Sequence, residues 1–390
     1  MVRYLTAGES HGKMLSVIID GIPAGLALSE QDINPDLFRR QQGFGRGDRM
    51  KNIEIDTVNI VSGVRWGETL GSPVTLLIAN RDWENNLSMM NPDAAARDRA
   101  RYQTAPRPGH ADLAGLVKFD REDTRDILER ASARETAARV AAGAVCRKLL
   151  NVFNIQIISW VVSIGDCRMP EHVPGDKLTQ KKIELSPVRC PHKPTEKKII
   201  ELIKRALKKG DTLGGIFQVI VKGVPVGLGS CMQWDSRLDG RLAAALMSIQ
   251  AVKGVEIGAG FSAAYAKGSS FQDEMLYAHN KGIVRRTNNA GGIEGGMSNG
   301  EIIVMRAAMK PIATLTKPLK SIDIRNLMST RATVVRSDIC AVPSAGVVGE
   351  AMVSLEIAGA MQEKFGGDSI PEMKRNYSEY MKRVHTRFTK

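Results

Sequence analysis

The run Ser132-Ala133-Arg134-Glu135-Thr136-Ala137-Ala138-Arg139-Val140-Ala141-Ala142-Gly143-Ala144-Val145-Cys146-Arg147-Lys148-Leu149-Leu150 opens with Ser-x-x-Glu, the pattern of a helix N-terminal capping box. Behind it, alanines at 137, 138, 141, 142 and 144 are spread around one helix. Side chains this small let neighbouring elements approach on several sides, so the spacing predicts a central, buried helix over about 132–150.

Toward the N-terminus, strands are expected at 2–5 and 15–20, with Gly8-Glu9-Ser10-His11-Gly12 as the turn between them. Ser29 caps a helix to about Arg40, followed by the basic loop Arg39 to Arg49. Strands follow near 53–62 and 74–79. From 80 to 108 the pattern breaks into a polar, irregular segment of the kind that forms lids. Arg107-Pro108-Gly109-His110-Ala111-Asp112 then opens a helix carrying Leu113, Leu116 and Val117, and a second helix follows Asp120.

Past the alanine helix, a β-branched strand is expected at 155–164 and a proline-bearing loop at 166–194. An amphipathic, lysine-rich helix covers 195–209 and stops at Gly210. Strand 216–222, helix 236–249, strand 255–261, a long helix from about Pro343 to Lys364 and a charged tail helix at 370–386 complete the reading. Neither repeat nor low-complexity linker divides the chain. It reads as one interlocked unit over 1–390, with a core to about residue 365 and a charged helical tail over 366–390.

Five of the ten residues from Gly291 to Gly300 are glycine, in Asn288-Asn289-Ala290-Gly291-Gly292-Ile293-Glu294-Gly295-Gly296-Met297-Ser298-Asn299-Gly300. Missing Cβ atoms allow a close approach, either by a bound ring or phosphate or within an ordinary surface turn. A strand over Glu301 to Ala308 follows, and Lys310-Pro311 ends it.

Composition narrows the function. Hydrophobic residues make up 43% and charged residues 25%, which is ordinary for a globular protein, and no apolar run approaches the ~18 residues of a membrane span. The N-terminus lacks the apolar core of a signal peptide, so a cytoplasmic location is expected. Cys146, Cys167, Cys190, Cys231 and Cys340 contain no Cys-x-x-Cys, so neither a disulfide frame nor a metal site is expected. The formal charge of +13 selects anions as partners without saying which. Aromatic residues are 5%, too few for a stacking platform, and only Phe44 lies in the basic loop, which argues against nucleic acid. No Walker A and no Gly-x-Gly-x-x-Gly between strand and helix are present.

Two of the six histidines occupy glycine-flanked, polar turns: His11 after Ser10, and His110 two residues before Asp112. Each could be a hydrogen-bonded structural residue or a tunable acid. Arg40, Arg46, Arg49, Arg107, Arg134 and Arg336 flank glycines, small residues or caps, where a planar fork can grip a carboxylate or phosphate.

Gly8-Glu9-Ser10-His11-Gly12, Gly45-Arg46-Gly47, Arg107 to Asp112, Ser132 to Thr136, Asp211-Thr212-Leu213-Gly214-Gly215, the 288–300 loop, Lys310-Pro311 and Arg336-Ser337-Asp338 together resemble the chorismate synthase family, in order from residue 2 to about 360. Departures are small. Ala131 stands where the family often has serine, Phe44 where tyrosine or histidine is common, and the tail beyond about 365 matches poorly.

The resemblance implies an α+β fold, a β-α-β sandwich with helices layered between antiparallel sheets, assembled as a homotetramer. It implies elimination of phosphate from 5-enolpyruvylshikimate 3-phosphate, a 1,4-anti reaction giving chorismate in the shikimate pathway to aromatic amino acids, with reduced FMN required. Arg40, Arg46, Arg49, Arg107 and Arg134 would bind substrate or NADP. FMN contacts would come from Arg130, Ala131, Ser132, Gln250, Ala251, Gly296, Lys310, Pro311, Ile312, Ala313, Thr314 and Arg336. His110 would supply a proton to the departing phosphate and His11 one to the flavin, with Ser10 in support and Asp338 assisting proton traffic. NADPH would serve only as an electron source through a separate flavin reductase, and no nucleic acid, membrane or metal is expected.

Overall fold

The computed structural model describes residues 2–47, 55–170, 178–279, 282–335 and 338–388. Two antiparallel sheets enclose a layer of helices. The first sheet has the order Arg3–Ala7, Met14–Asp20, Val74–Ala79, Val58–Ser62. Along two of its strands alternate residues are buried, Leu15, Val17 and Ile19 on one and Val74, Leu76 and Ile78 on the next. The period-2 pattern thus sets which face meets the helices. On the opposite face Leu5 and Ile18, paired across the register, are exposed.

The second sheet runs Val252–Ile257, Ile303–Met309, Gly215–Lys222, Gln156–Ile164, Cys167–Arg168, again antiparallel throughout. Phe217, Val219, Val221, Ile303, Met305 and Ala307 are buried on it. Between the sheets lie the helices Glu30–Gln41, Thr136–Asn151 and Val342–Phe365. The alanine helix packs against the first sheet and the long helix, which in turn covers the second sheet. At Gly143 the two helices touch backbone to backbone, since a Cβ there would fall 2.4 Å from the Ala351 Cα. Only glycine fits that crossing. The fold is therefore α+β, the β-α-β sandwich that the resemblance implied.

Several boundaries differ from the sequence reading. The strand expected at 255–261 spans Val252–Ile257, because Gly258 and Gly260 take φ of +59° and +57° and turn the chain into the short 3-10 segment Gly260–Tyr265. The capping box expected at Ser132 does not close. Ser132 Oγ accepts from the Arg134 amide at 3.3 Å and a 3-10 turn, Ala133–Glu135, precedes the helix, while the Glu135 carboxylate turns to Thr6, Arg139 and Gln250. A hairpin, Met275–Ala278 with Gly282–Arg285, was not foreseen; its Met275, Leu276 and Tyr277 are all exposed and show no alternation. Among the described residues, the helix Val342–Phe365 is long and apolar enough to cross a membrane, where no such run was expected; nearly all of it is buried between the sheets.

The glycine-rich loop is approached by the chain itself. A Cβ on Gly291 would fall 2.3 Å from the Gly258 nitrogen, and one on Gly296 would fall 2.7 Å from the Arg237 side chain. Its short hairpin, Ile293–Glu294 with Met297–Ser298, buries Ser298, whose hydroxyl donates to the Pro225 carbonyl at 2.6 Å.

Candidate functional site

Both central helices begin at one cavity of about 690 Å³. Thr136 at the start of the alanine helix and Ala341, Ser344 and Ala345 at the start of the long helix line it. Two helix N-termini bring their positive dipole ends to the same space, which favours an anionic occupant.

Four guanidiniums surround it, from Arg40, Arg46, Arg107 and Arg134, with the Lys310 ammonium beside them. Arg40 ends the helix Glu30–Gln41, and Ser344 Oγ donates to its carbonyl at 2.6 Å, fastening two of the central helices at the cavity wall. Arg40 Nη2 and Arg134 Nη1 each donate to one oxygen of Asp56, both at 2.6 Å. Burial alone would lift the Asp56 carboxyl, but Arg40 and Arg134 outweigh it and hold it below the usual carboxylate range. Arg46 pairs with Asp338, whose other oxygen accepts from the Gly47 amide at 2.7 Å. Lys310 donates to the Gly109 carbonyl.

The histidines lie on the same cavity, each backed by a buried carboxylate. His11 Nδ1 is 2.9 Å from Glu129 Oε1, and the His11 amide donates to Glu129 Oε2 at 2.7 Å. Asn80 holds the turn from the other side, with Nδ2 donating to the Glu9 and Gly12 carbonyls at 3.0 and 2.7 Å and Oδ1 accepting from Arg134 Nε at 2.8 Å. His110 Nδ1 lies 2.5 Å from Asp112 Oδ1, and Arg107 donates to both Asp112 oxygens at 2.8 Å. Burial would raise the Asp112 carboxyl; the hydrogen bonds from His110 and Arg107 outweigh this and hold it well below the usual range. Because ionised Asp112 can only accept, His110 Nδ1 carries a hydrogen toward it. The 3.0 Å approach of Arg107 Nη2 to that nitrogen is then a charge contact, not a hydrogen bond. In both rings Nδ1 is held by an acid, so a proton exchanged with a bound molecule passes through Nε2.

Most residues expected at the site line the cavity. Besides the four arginines and two histidines, these are Ser10, Asp338, Ala131 and Ser132, then Gln250 and Ala251, then Lys310, Ile312, Ala313 and Thr314. Arg130, Gly296 and Pro311 do not line it. Arg130 donates to the Thr6 carbonyl at 2.8 Å and ties the helix Thr124–Ala131 to the first strand, while the Gly296 carbonyl accepts from the Leu238 amide at 2.9 Å. Arg49 and Arg336 lie outside the described residues.

Sequence reasoning passed over Asp56 and Glu129, and read Glu135 only as a capping acid. Asp56 was legible as the lone acid in the strand-like run Ile55-Asp56-Thr57-Val58, and Glu129 as an acid one helical turn before Ala133. Nothing in the local pattern links either to an arginine or histidine far along the chain.

Three buried polar atoms on the cavity residues have no hydrogen-bond partner among the described residues: Arg40 Nε, Arg46 Nε and Gln250 Oε1. Gln250 Nε2 donates to Glu135 at 3.1 Å, which fixes the amide so that Oε1 is the acceptor left over. A bound molecule with both acidic oxygens and an N-H or O-H would satisfy all three. The donor set fits a flavin phosphate and a polyanionic substrate. Among the described residues no cluster of histidine, cysteine and acid could hold a metal ion.

Comparison with known proteins identifies a family. The family model described as Chorismate synthase matches residues 2–362. The chain is similar to the chorismate synthase of Geotalea daltonii, 54% identical with 98% of each chain covered, and to that of Desulforudis audaxviator, 55% identical with 98% of each covered. A solved structure titled "Crystal Structure of Chorismate Synthase" superposes with a TM-score of 0.80 at 44% identity, covering 99% of this chain and 98% of the other.

Proposed function

This chain belongs to the chorismate synthase family, and from that premise we propose that it eliminates phosphate from 5-enolpyruvylshikimate 3-phosphate, in a 1,4-anti sense, with reduced FMN bound beside the substrate. The observation that carries the reading is the pair of carboxylate-backed histidines on one guanidinium-lined cavity. The reaction is the last common step toward the aromatic amino acids.

The hydrogen to be removed is unactivated, and its acidity lies far beyond what histidine or aspartate can match by general-base catalysis alone. Reduced FMN, when bound, supplies transient electron donation that makes phosphate loss feasible. The chain's own residues do the rest. Arg40, Arg46, Arg107 and Arg134, with the two helix N-termini, bind and orient the phosphate and carboxylates of the substrate. His110 holds the proton that neutralises departing phosphate, with its ring fixed by Asp112. His11 exchanges a proton at Nε2, its ring fixed by Glu129, and Ser10 supports it. Asp338 assists proton traffic while its carboxylate keeps Arg46 in place.

Ala131, Ser132, Gln250, Ala251 and the stretch 310–314 would hold the cofactor, with Gln250 Oε1 accepting from an N-H of its ring. Arg336 completes the expected set, and Gly296, which does not line the cavity, drops out of it. The working enzyme is a cytoplasmic homotetramer that draws reduced flavin from a separate NADPH-dependent reductase.

The test is anaerobic turnover of purified protein with reduced FMN. Phosphate and chorismate should appear in equal amounts without net flavin oxidation, and His110→Ala and His11→Ala should each slow turnover by about 10² or more. Absence of phosphate release from wild-type protein overturns the proposal, and near wild-type rates in both variants overturn the roles of the histidines.

A further inference from the structure

The motif Asp211-Thr212-Leu213-Gly214-Gly215 lines no part of the cavity, yet it lies behind two of the cavity's walls. It leads from the helix Lys193–Lys209 into the strand Gly215–Lys222. Toward one wall, the Leu213 amide donates to the Ile339 carbonyl at 2.8 Å, beside Asp338, and the Ile339 amide donates to the Gly45 carbonyl at 2.9 Å, beside Arg46. Toward the other, a Cβ on Gly214 would fall 2.4 Å from the Met309 carbonyl oxygen and 2.9 Å from the Pro311 nitrogen. Only glycine lets the segment lie against the start of the stretch 310–314. The buried Thr212 hydroxyl then donates to the Ile312 carbonyl at 2.8 Å.

That bond fixes a peptide plane where no sheet does. The strand Ile303–Met309 has ended, the Lys310 amide donates to the Ala251 carbonyl at 2.9 Å, and Pro311 has no amide to donate. The peptide between Ile312 and Ala313 is trans, so its carbonyl and its N-H point opposite ways. Holding the carbonyl on Thr212 therefore turns the Ala313 N-H to the far side of the chain, and Ala313 lines the cavity. Among the described residues, that N-H has no acceptor in the chain.

We propose that Thr212 is a positioning residue for the cofactor: by holding the Ile312 carbonyl from behind, it presents the Ala313 amide as a donor to a carbonyl or phosphate oxygen of the bound flavin. The inference rests on the assignment of 310–314 to FMN made above. A peptide plane set before FMN arrives removes an ordering cost from binding. A hydroxyl that merely satisfied a buried carbonyl would matter to stability and leave the ligand untouched.

The experiment titrates FMN by quenching of its fluorescence with wild-type protein, Thr212→Val and Thr212→Ser, with a thermal melt of each and steady-state kinetics at saturating reduced FMN. Thr212→Val keeps the shape and loses the donor, and it should weaken FMN binding about fivefold to tenfold. Thr212→Ser keeps the hydroxyl and should bind FMN within about twofold of wild type. KM for the substrate should stay unchanged in both, because the bond touches no arginine of the cavity. Unchanged FMN affinity in folded Thr212→Val, or a KM that rises along with the FMN dissociation constant, overturns the proposal.

Should Thr212→Val not fold, Thr212→Ala takes its place, since it leaves room for water at the Ile312 carbonyl, and the same loss of FMN affinity is expected. Failure of both to fold makes the hydroxyl a folding device and overturns the positioning role. Binding is read without turnover, so the outcomes separate. Wild-type protein that binds no FMN overturns the cofactor assignment and this role with it, whereas wild-type binding that the loss of the hydroxyl does not weaken removes the role of Thr212 alone.

Discussion

Arg39 and Arg40 are neighbours on one helix and serve opposite purposes. Arg39 faces a sealed cluster in which Arg39, Arg147 and Arg189 meet Glu350, Asp36 and Glu184, three cations against three acids. Glu350 is fully buried at its centre, accepting from Ser159 Oγ at 2.6 Å and from Arg147 at 2.7 Å. Arg40 faces the cavity, where among the described residues four guanidiniums and Lys310 meet Asp56, Asp82, Asp112 and Asp338. Among the described residues Arg147 Nε and Arg189 Nε also lack partners, so an orphaned guanidinium nitrogen does not by itself mark a ligand site. What separates the two clusters is the cation excess and the cavity beside it. Balanced charge holds the helices together, and unbalanced charge waits for an anion.

The comparison breaks most visibly at Glu350. Glu350→Ala leaves Arg39, Arg147 and Arg189 sharing only Asp36 and Glu184 and should cost about 3–5 kcal/mol of stability by chemical denaturation. Phosphate affinity should hardly change, because no member of that cluster lines the cavity. A large change in phosphate binding would mean that the two clusters are not independent.

Asp112→Asn probes the other side. It removes the acid that orients His110 and should lower kcat by roughly 10², about 2.7 kcal/mol in the barrier, with the protein still folded at assay temperature. Turnover with a thermal melt as control checks it.

Acid tests the closed cluster through Glu350. Burial would raise the Glu350 carboxyl, but Arg39, Arg147 and Arg189 outweigh it and hold it well below its ordinary 4.5. A carboxyl depressed by folding adds stability above its unfolded pKa and loses that contribution as pH falls toward the folded value. Wild-type stability should therefore decline from about pH 4.5 downward, and Glu350→Gln should flatten that decline; a parallel curve for the variant would count against the assignment. The smallest effect is expected at Thr314→Val, which deletes the 3.1 Å bond from Arg107 Nη1. At about 1 kcal/mol it should change kcat/KM some fivefold.

The layers were legible because periodicity reports burial. The strand expected at 15–20 and the buried alanine helix expected over about 132–150 both sit where they were expected, and in the strand Leu15, Val17 and Ile19 turn to the packed face. The exposed hairpin at 275–285 carried no such signal. At the site, residues with a glycine or a cap beside them were found. Of their counter-acids Asp112 and Asp338 stood in the motifs, whereas Asp56 and Glu129 did not, since they meet the cavity side chains only after folding. The glycine loop misled in a specific way. Its missing side chains make room for Gly258 and Arg237, and the same composition would have served a ligand equally well.

The contact at Gly143 makes the two longest central helices a caliper. Their N-terminal ends are the jaws on either side of the reacting molecules, and the pivot lies seven residues, or about 10 Å, behind Thr136. A single methyl at the pivot would spread the jaws, so a change remote from any reacting atom would be felt as a loss of grip on small ligands.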